Sequence, residues 1–293
     1  MVETMRQTPS CPHDAVDAMP PDRTTSRSAV PFLRWAGGKR WAVDMLSALV
    51  PERFNRYYEP FLGGGAFYFH ITPYPATLSD TNEELINVYR QVRDNVDELI
   101  DRLKKHRISH QVFTAIRNKQ PSLPVTRAVR FLYLNRTAFN GIHRVNRQGR
   151  FNVPFGCKPG TILCDEKVLR HASASLQNRT LHVSDFESAI EAAGEGDVVY
   201  ADPPYTVKHN NNGFRRYNEV LFAWADQERL ARACRRAVKR GVHVIVSNAY
   251  HEPIIDLYHG FGIAKVYRES RISAGLQGRG RVAECVLRSI STE

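Results

Sequence analysis

The chain has 293 residues, of which 42% are hydrophobic and 24% charged, and its formal net charge is +11. These proportions suit a globular protein that buries one good core plus an insertion, and they exclude a fibrous or largely disordered chain. No apolar run approaches the roughly 20 residues needed to cross a bilayer, and the five cysteines are scattered at neither disulfide-framework nor metal-ligand spacing. The expectation is a cytoplasmic, membrane-free protein with reduced thiols and no metal.

Residues 1–28 read as a flexible polar leader. Phe32 to Lys39 is an aromatic and glycine-rich turn, followed by a helix with apolar spacing through Val43, Leu46 and Leu49 that Pro51 ends. A short strand over Arg56–Pro60 runs into Gly63-Gly64-Gly65 and a second helical start, and Thr77–Asp80 reads as the next strand. Leu85, Val88, Tyr89, Val92, Val96, Leu99, Ile100 and Leu103 fall at helical spacing and predict one long amphipathic helix.

From Asp101 to Asp165 no acidic residue intervenes, while the 63 positions between carry 13 Lys or Arg; the rest of the chain holds 28 basic against 30 acidic residues. The positive excess therefore sits in one contiguous segment, the pattern of a near-neutral body carrying an inserted surface for a polyanion. That segment predicts a short helix near Ala128–Leu134 and then turn-rich sequence from Asn135 to Gly160. Leu181–Asp185, Asp197–Tyr200 and Val242–Val246 are short apolar runs expected of buried parallel strands. A helix over Asp226–Lys239 precedes the last of these. Ile263–Ser270 and Ala283–Ser289 alternate like an antiparallel hairpin. Strands alternating with helices predict an open α/β sheet, whose ligands sit at the carboxyl ends of the strands.

Asp202-Pro203-Pro204-Tyr205 directly follows the strand Val198 to Ala201. Two prolines fix the backbone and remove its donors, leaving carbonyl acceptors beside a carboxylate and an aromatic face. An exocyclic amine has its lone pair delocalised into the ring; two fixed acceptors for its hydrogens localise that pair, and Tyr205 can stack on the base. Earlier in the chain, Glu59 and Asp80 at consecutive strand ends flank the glycine turn. Tyr68 occupies the third glycine place of the dinucleotide fingerprint. Acidic strand ends suit a cationic sulfonium amino acid with a ribose diol better than a pyrophosphate. Arg136, Arg144, Arg147 and Arg150 alternate with Phe139, Asn140, Asn146 and Phe151 in a stretch that reads as a hairpin. Arginine forks match guanine edges or phosphates, and an aromatic or amide side chain can wedge into a stack where a base has left. The loops 206–218 and 275–281 read as a lid over the base and a hairpin loop that could touch phosphate.

In order, Trp35-Ala36-Gly37-Gly38-Lys39, Glu59-Pro60-Phe61-Leu62-Gly63-Gly64-Gly65, the stretch from Asn135-Arg136 to Phe151-Asn152-Val153-Pro154-Phe155-Gly156, and Asp202-Pro203-Pro204-Tyr205 resemble the Dam-type (class alpha, D12) DNA adenine N6-methyltransferases. The resemblance covers about Phe32 to Ile290. It implies a Rossmann-like S-adenosylmethionine-dependent methyltransferase sheet with an inserted, mostly helical and hairpin-bearing DNA-recognition domain. The catalytic domain would be residues 29–89 and 166–293, and the recognition domain 90–165.

By the same resemblance, Trp35, Lys39, Glu59, Phe61, Gly63, Gly65, Asp80, Asp185, Phe186 and Asp202 would bind the cofactor, with Asp80 on the ribose and Asp185 and Phe186 at its adenine. Asp202, Pro203, Pro204 and Tyr205 would be catalytic. Arg136, Phe139, Asn140, Arg144, Asn146, Arg147, Arg150 and Asn152 would meet DNA. The reaction would leave S-adenosylhomocysteine. The partner would be double-stranded DNA, with GATC the target favoured by the hairpin, and the protein monomeric and nucleoid-associated. A restriction endonuclease working in the same system fits too. Two other readings stay open on the residues: the same transfer to RNA, and a DNA-binding module with a dead cofactor pocket.

Overall fold

The computed structural model describes residues 29–146, 148–157, 159–205, 222–269 and 281–290. The expected leader, Arg147, the 206–218 loop and nearly all of the 275–281 loop lie outside the described residues. No helix among the described residues is long and apolar enough to cross a membrane.

In chain order come α1 (Val43–Ser47), β1 (Tyr57–Glu59), α2 (Ala66–Ile71), β2 (Ala76–Asp80), α3 (Glu83–Asp94), α4 (Val96–Lys104), α5 (His110–Asn118) and α6 (Pro124–Thr137). A 3-10 turn (Phe139–Gly141), α7 (Glu166–Leu176), β3 (Thr180–Val183), α8 (Phe186–Glu191), β4 (Val198–Ala201), α9 (Trp224–Lys239), β5 (His243–Ala249), α10 (Glu252–Leu257), β6 (Phe261–Glu269) and β7 (Arg281–Ser289) follow. The seven strands form one sheet in the order β3-β2-β1-β4-β5-β7-β6. β1 to β5 run parallel, and β7 lies antiparallel between β5 and β6. This is the α/β methyltransferase-type sheet that the sequence predicts. The terminal hairpin differs in one respect: its second strand, β7, is interior and completes the sheet against β5.

Alternate residues of the strands face two cores. Tyr57, Leu78, Val198, Tyr200, Ile245 and Val286 meet α2, α3, α4, α6 and α7 on one side; Tyr58, Val199, Ala201, Val244, Val246 and Leu287 meet α8, α9 and α10 on the other. The long helix expected over Leu85–Leu103 is broken at Asn95, whose φ of −136° and ψ of 37° are non-helical. The break falls between Val92 and Val96, a spacing of one turn, so both pieces keep an apolar stripe on the same core.

Beyond residue 90 the chain contributes to two cores. Leu99, Ile100, Leu103, Val129, Phe131 and Leu132 belong to the sheet's first core. A separate small core gathers Phe113, Ile116, Tyr133, Leu134, Ala138, Phe151 and Val153 from α5, the end of α6 and the hairpin. Antiparallel bridges Val145↔Phe151 and Ala138↔Phe155 make that hairpin.

The order of strands reverses between β1 and β4, which pair in parallel. The segments that follow their carboxyl ends pack on opposite faces of the sheet, and open α/β sheets hold ligands in the crevice at such a point. β1 delivers Glu59 and the glycine turn to that crevice, and β4 delivers Asp202.

Candidate active site

Lys39 joins the two sides of the crevice. It is 3% exposed, and its Nζ donates to both carboxylate oxygens of Asp202 at 2.7 and 2.9 Å and to the Gly37 carbonyl at 3.0 Å. The same ammonium lies 4.7 Å from the centroid of the Tyr205 ring and 3.9 Å from Glu284 Oε2. Tyr205 OH donates to that Glu284 oxygen at 2.7 Å. Burial first, then the charges of Asp202 and Glu284, push the Tyr205 phenol well up, so it keeps its proton and acts as a donor. The proline turn is tethered from behind: Gln227, wholly buried on α9, donates to the Pro204 carbonyl at 3.3 Å and accepts from Asn248 at 2.9 Å.

The glycine turn is closed by its neighbours. Gly63 (φ +47°) and Gly65 (φ +64°) hold left-handed conformations that disfavour a side chain. A Cβ on Gly63 would come within 2.8 Å of Trp35 Cδ1, and one on Gly65 within 2.8 Å of the Tyr89 hydroxyl. Asp80 accepts from the backbone N–H of Gly63 (3.1 Å) and of Asn82 (2.9 Å), tying the end of β2 to this turn, and burial raises its pKa. Glu59 is 3% exposed and accepts from Tyr57 OH at 2.6 Å. Burial, with Asp202 adding, raises Glu59 to about 8. Two buried carboxyl groups beside a glycine cradle form an acceptor-rich, electron-rich floor. A cofactor bringing a positive charge and a diol fits that floor, and a polyphosphate does not.

The Glu59 proton gives a testable pH dependence. Its pKa is raised on folding, so the folded chain holds a proton that the unfolded chain releases above about 4.5. The corresponding stability is present below that pH and is lost as pH rises toward about 8, with a limiting slope of about 1.4 kcal/mol per pH unit. A Glu59→Gln variant lacks this titration. In cofactor-free protein its urea midpoint should gain on the parent's between those two pH values, and parallel profiles would refute the assignment.

Phe61 and Phe186 stack at 5.3 Å with Phe222 edge-on to Phe61, and Arg229 lies over Phe186 at 4.3 Å while pairing with Asp185 at 2.7 Å. Asp185 also caps α8 by accepting from Glu187 N–H. The structure thus brings together all the residues expected at the cofactor.

The expected DNA residues divide. Phe139 is 53% exposed, Asn140 is exposed with a left-handed φ of +53°, and Arg144, Asn146, Arg150 and Asn152 are exposed on the hairpin. Arg144 donates to Asn152 at 2.9 Å, and the Asn146 side chain accepts from the backbone of Gln148 and Arg150, shaping the tip. Arg136 departs from expectation: it turns inward and donates to the Phe32 carbonyl at 2.9 Å. Other basic residues of the acid-free segment pair with acids contributed from outside it: Arg102 with Glu98, Lys104 with Glu166, Arg127 with Glu83 and Glu84. Of the rest, Lys105, Arg107 and Lys119 are exposed beside α4 and α5, and Arg144 and Arg150 on the hairpin.

Three contributors had no assigned role in the sequence reading. Glu284 signals itself only as a lone acid in the apolar run of β7. Asn135, fully buried, accepts from Arg34 N–H at 3.0 Å and donates to the carbonyls of Arg34 (2.7 Å) and Gly141 (3.0 Å), pinning the segment before Trp35 to the hairpin base. His143 packs at 4.4 Å on Phe131 and 6.0 Å on Trp35; burial lowers it to about 4, so it is neutral packing.

A family model described as D12 class N6 adenine-specific DNA methyltransferase matches residues 35–272. A type II methyltransferase of Lactococcus lactis, M1.LlaDCHI, is 35% identical over 88% of this chain and 94% of its own length. M.MjaIII of Methanocaldococcus jannaschii, also a type II methyltransferase, is 34% identical over 83% of this chain and 92% of its own. A DNA adenine methylase of Haemophilus influenzae is 31% identical over 87% of this chain and 92% of its own length. The crevice geometry and these matches agree: the chain belongs to the D12 class of N6 adenine-specific DNA methyltransferases.

Proposed function

We propose that this enzyme moves a methyl group from S-adenosylmethionine to N6 of an adenine flipped out of duplex DNA, with GATC as the target sequence, and that it does so as a monomer. The observation that supports this most is the joining of the Asp202–Tyr205 turn to the glycine-lined floor through Lys39, which sets an amine-gripping group beside a cation-accepting pocket. When bound, S-adenosylmethionine supplies the electrophilic methyl; Trp35, Glu59, Phe61, Gly63, Gly65, Asp80, Asp185 and Phe186 would hold it.

The chain's own residues do the rest. Asp202 and the Pro203 carbonyl accept the two N–H bonds of the target amine and turn its lone pair out of the ring. An aromatic amine is far too weak an acid for a carboxylate to deprotonate beforehand, so the proton leaves after the N–C bond has formed and the C–S bond has broken. Tyr205 stacks on the base. Phe139 and Asn140 fill the space the base vacates, and Arg144, Asn146, Arg147, Arg150 and Asn152 meet base edges and phosphates. Catalysis is then mostly positioning.

Sequencing DNA from cells that express the protein, with a method that reads N6-methyladenine, tests substrate and target together. Modified adenine concentrated at GATC is the expected result. Modification at another motif would overturn the target alone. Labelled methyl entering ribosomal RNA but not plasmid DNA would overturn the substrate.

A further inference from the structure

Glu284 is a buried carboxylate that the reaction scheme above leaves without a part. It stands on β7 opposite Ala249 of β5, is 3% exposed, and interrupts an otherwise apolar run from Val282 to Leu287. Taking a carboxylate out of water costs several kcal/mol unless hydrogen bonds and an opposite charge offset it. Its position in the sheet supplies both. Oε2 accepts the Tyr205 hydroxyl at 2.7 Å and lies 3.9 Å from Lys39 Nζ. Lys39 in turn grips Asp202 and covers one face of the Tyr205 ring at 4.7 Å. Glu284, Tyr205 and Lys39 close a loop, and Asp202 joins it through Lys39.

That loop constrains Tyr205 in two directions. Lys39 occupies one face of the ring, so the opposite face is the one available to a base. The hydroxyl, held by Glu284, stops the ring from swinging about its Cα–Cβ bond or withdrawing from the crevice. Because β7 is hydrogen-bonded on both sides, by β5 and β6, Glu284 is a rigid anchor. The last strand of the chain thereby sets the geometry of a turn about 80 residues earlier.

We propose that Glu284 is a positioning residue for methyl transfer: its hydrogen bond to Tyr205 fixes where the ring on which the target adenine stacks stands relative to Asp202. This rests on the reading of Asp202–Tyr205 as the catalytic turn, and the test separates the two.

Single-turnover methyl transfer to plasmid DNA would be compared for the parent, Glu284→Ala, Glu284→Gln, Tyr205→Phe, the Tyr205→Phe/Glu284→Ala double variant and Asp202→Ala. DNA retention and calorimetric binding of S-adenosylmethionine without DNA would be measured alongside. Glu284→Ala should slow the chemical step by about 10- to 100-fold while both affinities stay within about threefold, the signature of misplaced reactants. Glutamine, which can still accept from the hydroxyl, should restore most of the rate. In the Tyr205→Phe background the alanine substitution should add little, since its partner is already gone. Glu284→Ala and Glu284→Gln at the parent rate, or alanine and phenylalanine losses that multiply independently, would overturn the positioning role. An Asp202→Ala protein with full turnover would overturn the underlying reading instead. If alanine fails to fold, the Glu284→Gln and Tyr205→Phe pair decides: glutamine as damaging as an unfolded chain's activity, with Tyr205→Phe at the parent rate, counts against the hydrogen bond.

Discussion

Asp202→Ala should bind duplex DNA within about threefold of the parent and transfer methyl about 1,000-fold more slowly or worse. The carboxylate is one of two acceptors assigned to the target amine, and the amine is a poor nucleophile until those acceptors draw on its hydrogens. In the proposed scheme DNA affinity comes instead from the exposed hairpin around Arg144 and Arg150, on another element. Asp202→Asn, which keeps an acceptor oxygen without the charge, should fall between the two. Radiolabelled transfer under single-turnover conditions checks the rate, and a gel-shift titration at fixed salt checks the affinity. Undiminished transfer would remove Asp202 from the reaction.

The second large effect is expected at Lys39. Its ammonium stands within 4 Å of both Asp202 and Glu284. Lys39→Met takes that positive charge away from both carboxylates, and breaking a buried ion pair from one side typically costs 3 to 5 kcal/mol. Asp202 keeps 20% of its side chain exposed, so a loss of about 2–3 kcal/mol is the expectation, read from urea unfolding. Adding Asp202→Asn to Lys39→Met should recover much of that stability while leaving transfer abolished. A double variant no more stable than Lys39→Met would show that the destabilisation is lost packing of the lysine stem and not uncompensated charge.

Much of this site was legible in the sequence for a topological reason. Parallel strands buried on both faces appear as short apolar runs, and ligands of such sheets sit at the ends of those runs, so Glu59, Gly63, Asp80 and Asp202 stand at positions that periodicity alone picks out. The hairpin showed itself through its arginines and turn residues. What escaped depends on contacts distant in sequence. Glu284 lies on a strand whose alternation gives its face but not its neighbours, and only the insertion of β7 beside β5 brings it to Tyr205. Arg136 and Arg144 look alike in the chain; the first is at the end of α6 facing Phe32, the second on the open hairpin. The break at Asn95 keeps the apolar spacing of a continuous helix, so no pattern of hydrophobic residues could reveal it. The short helices α5, α8 and α10 span 9, 6 and 6 residues, too few turns to establish a period.

Asn135 has a bearing on how the protein can change what it reads. By holding both backbone groups of Arg34, it splices the insertion to the segment that carries Trp35 and Lys39, and His143 fills the seam against Trp35. The hairpin therefore cannot be re-aimed as a separate lobe without disturbing the cofactor side. On the proposed reading of the hairpin, a new sequence preference would be written in the side chains at its exposed tip, between Arg144 and Asn152, away from the Asp202 turn.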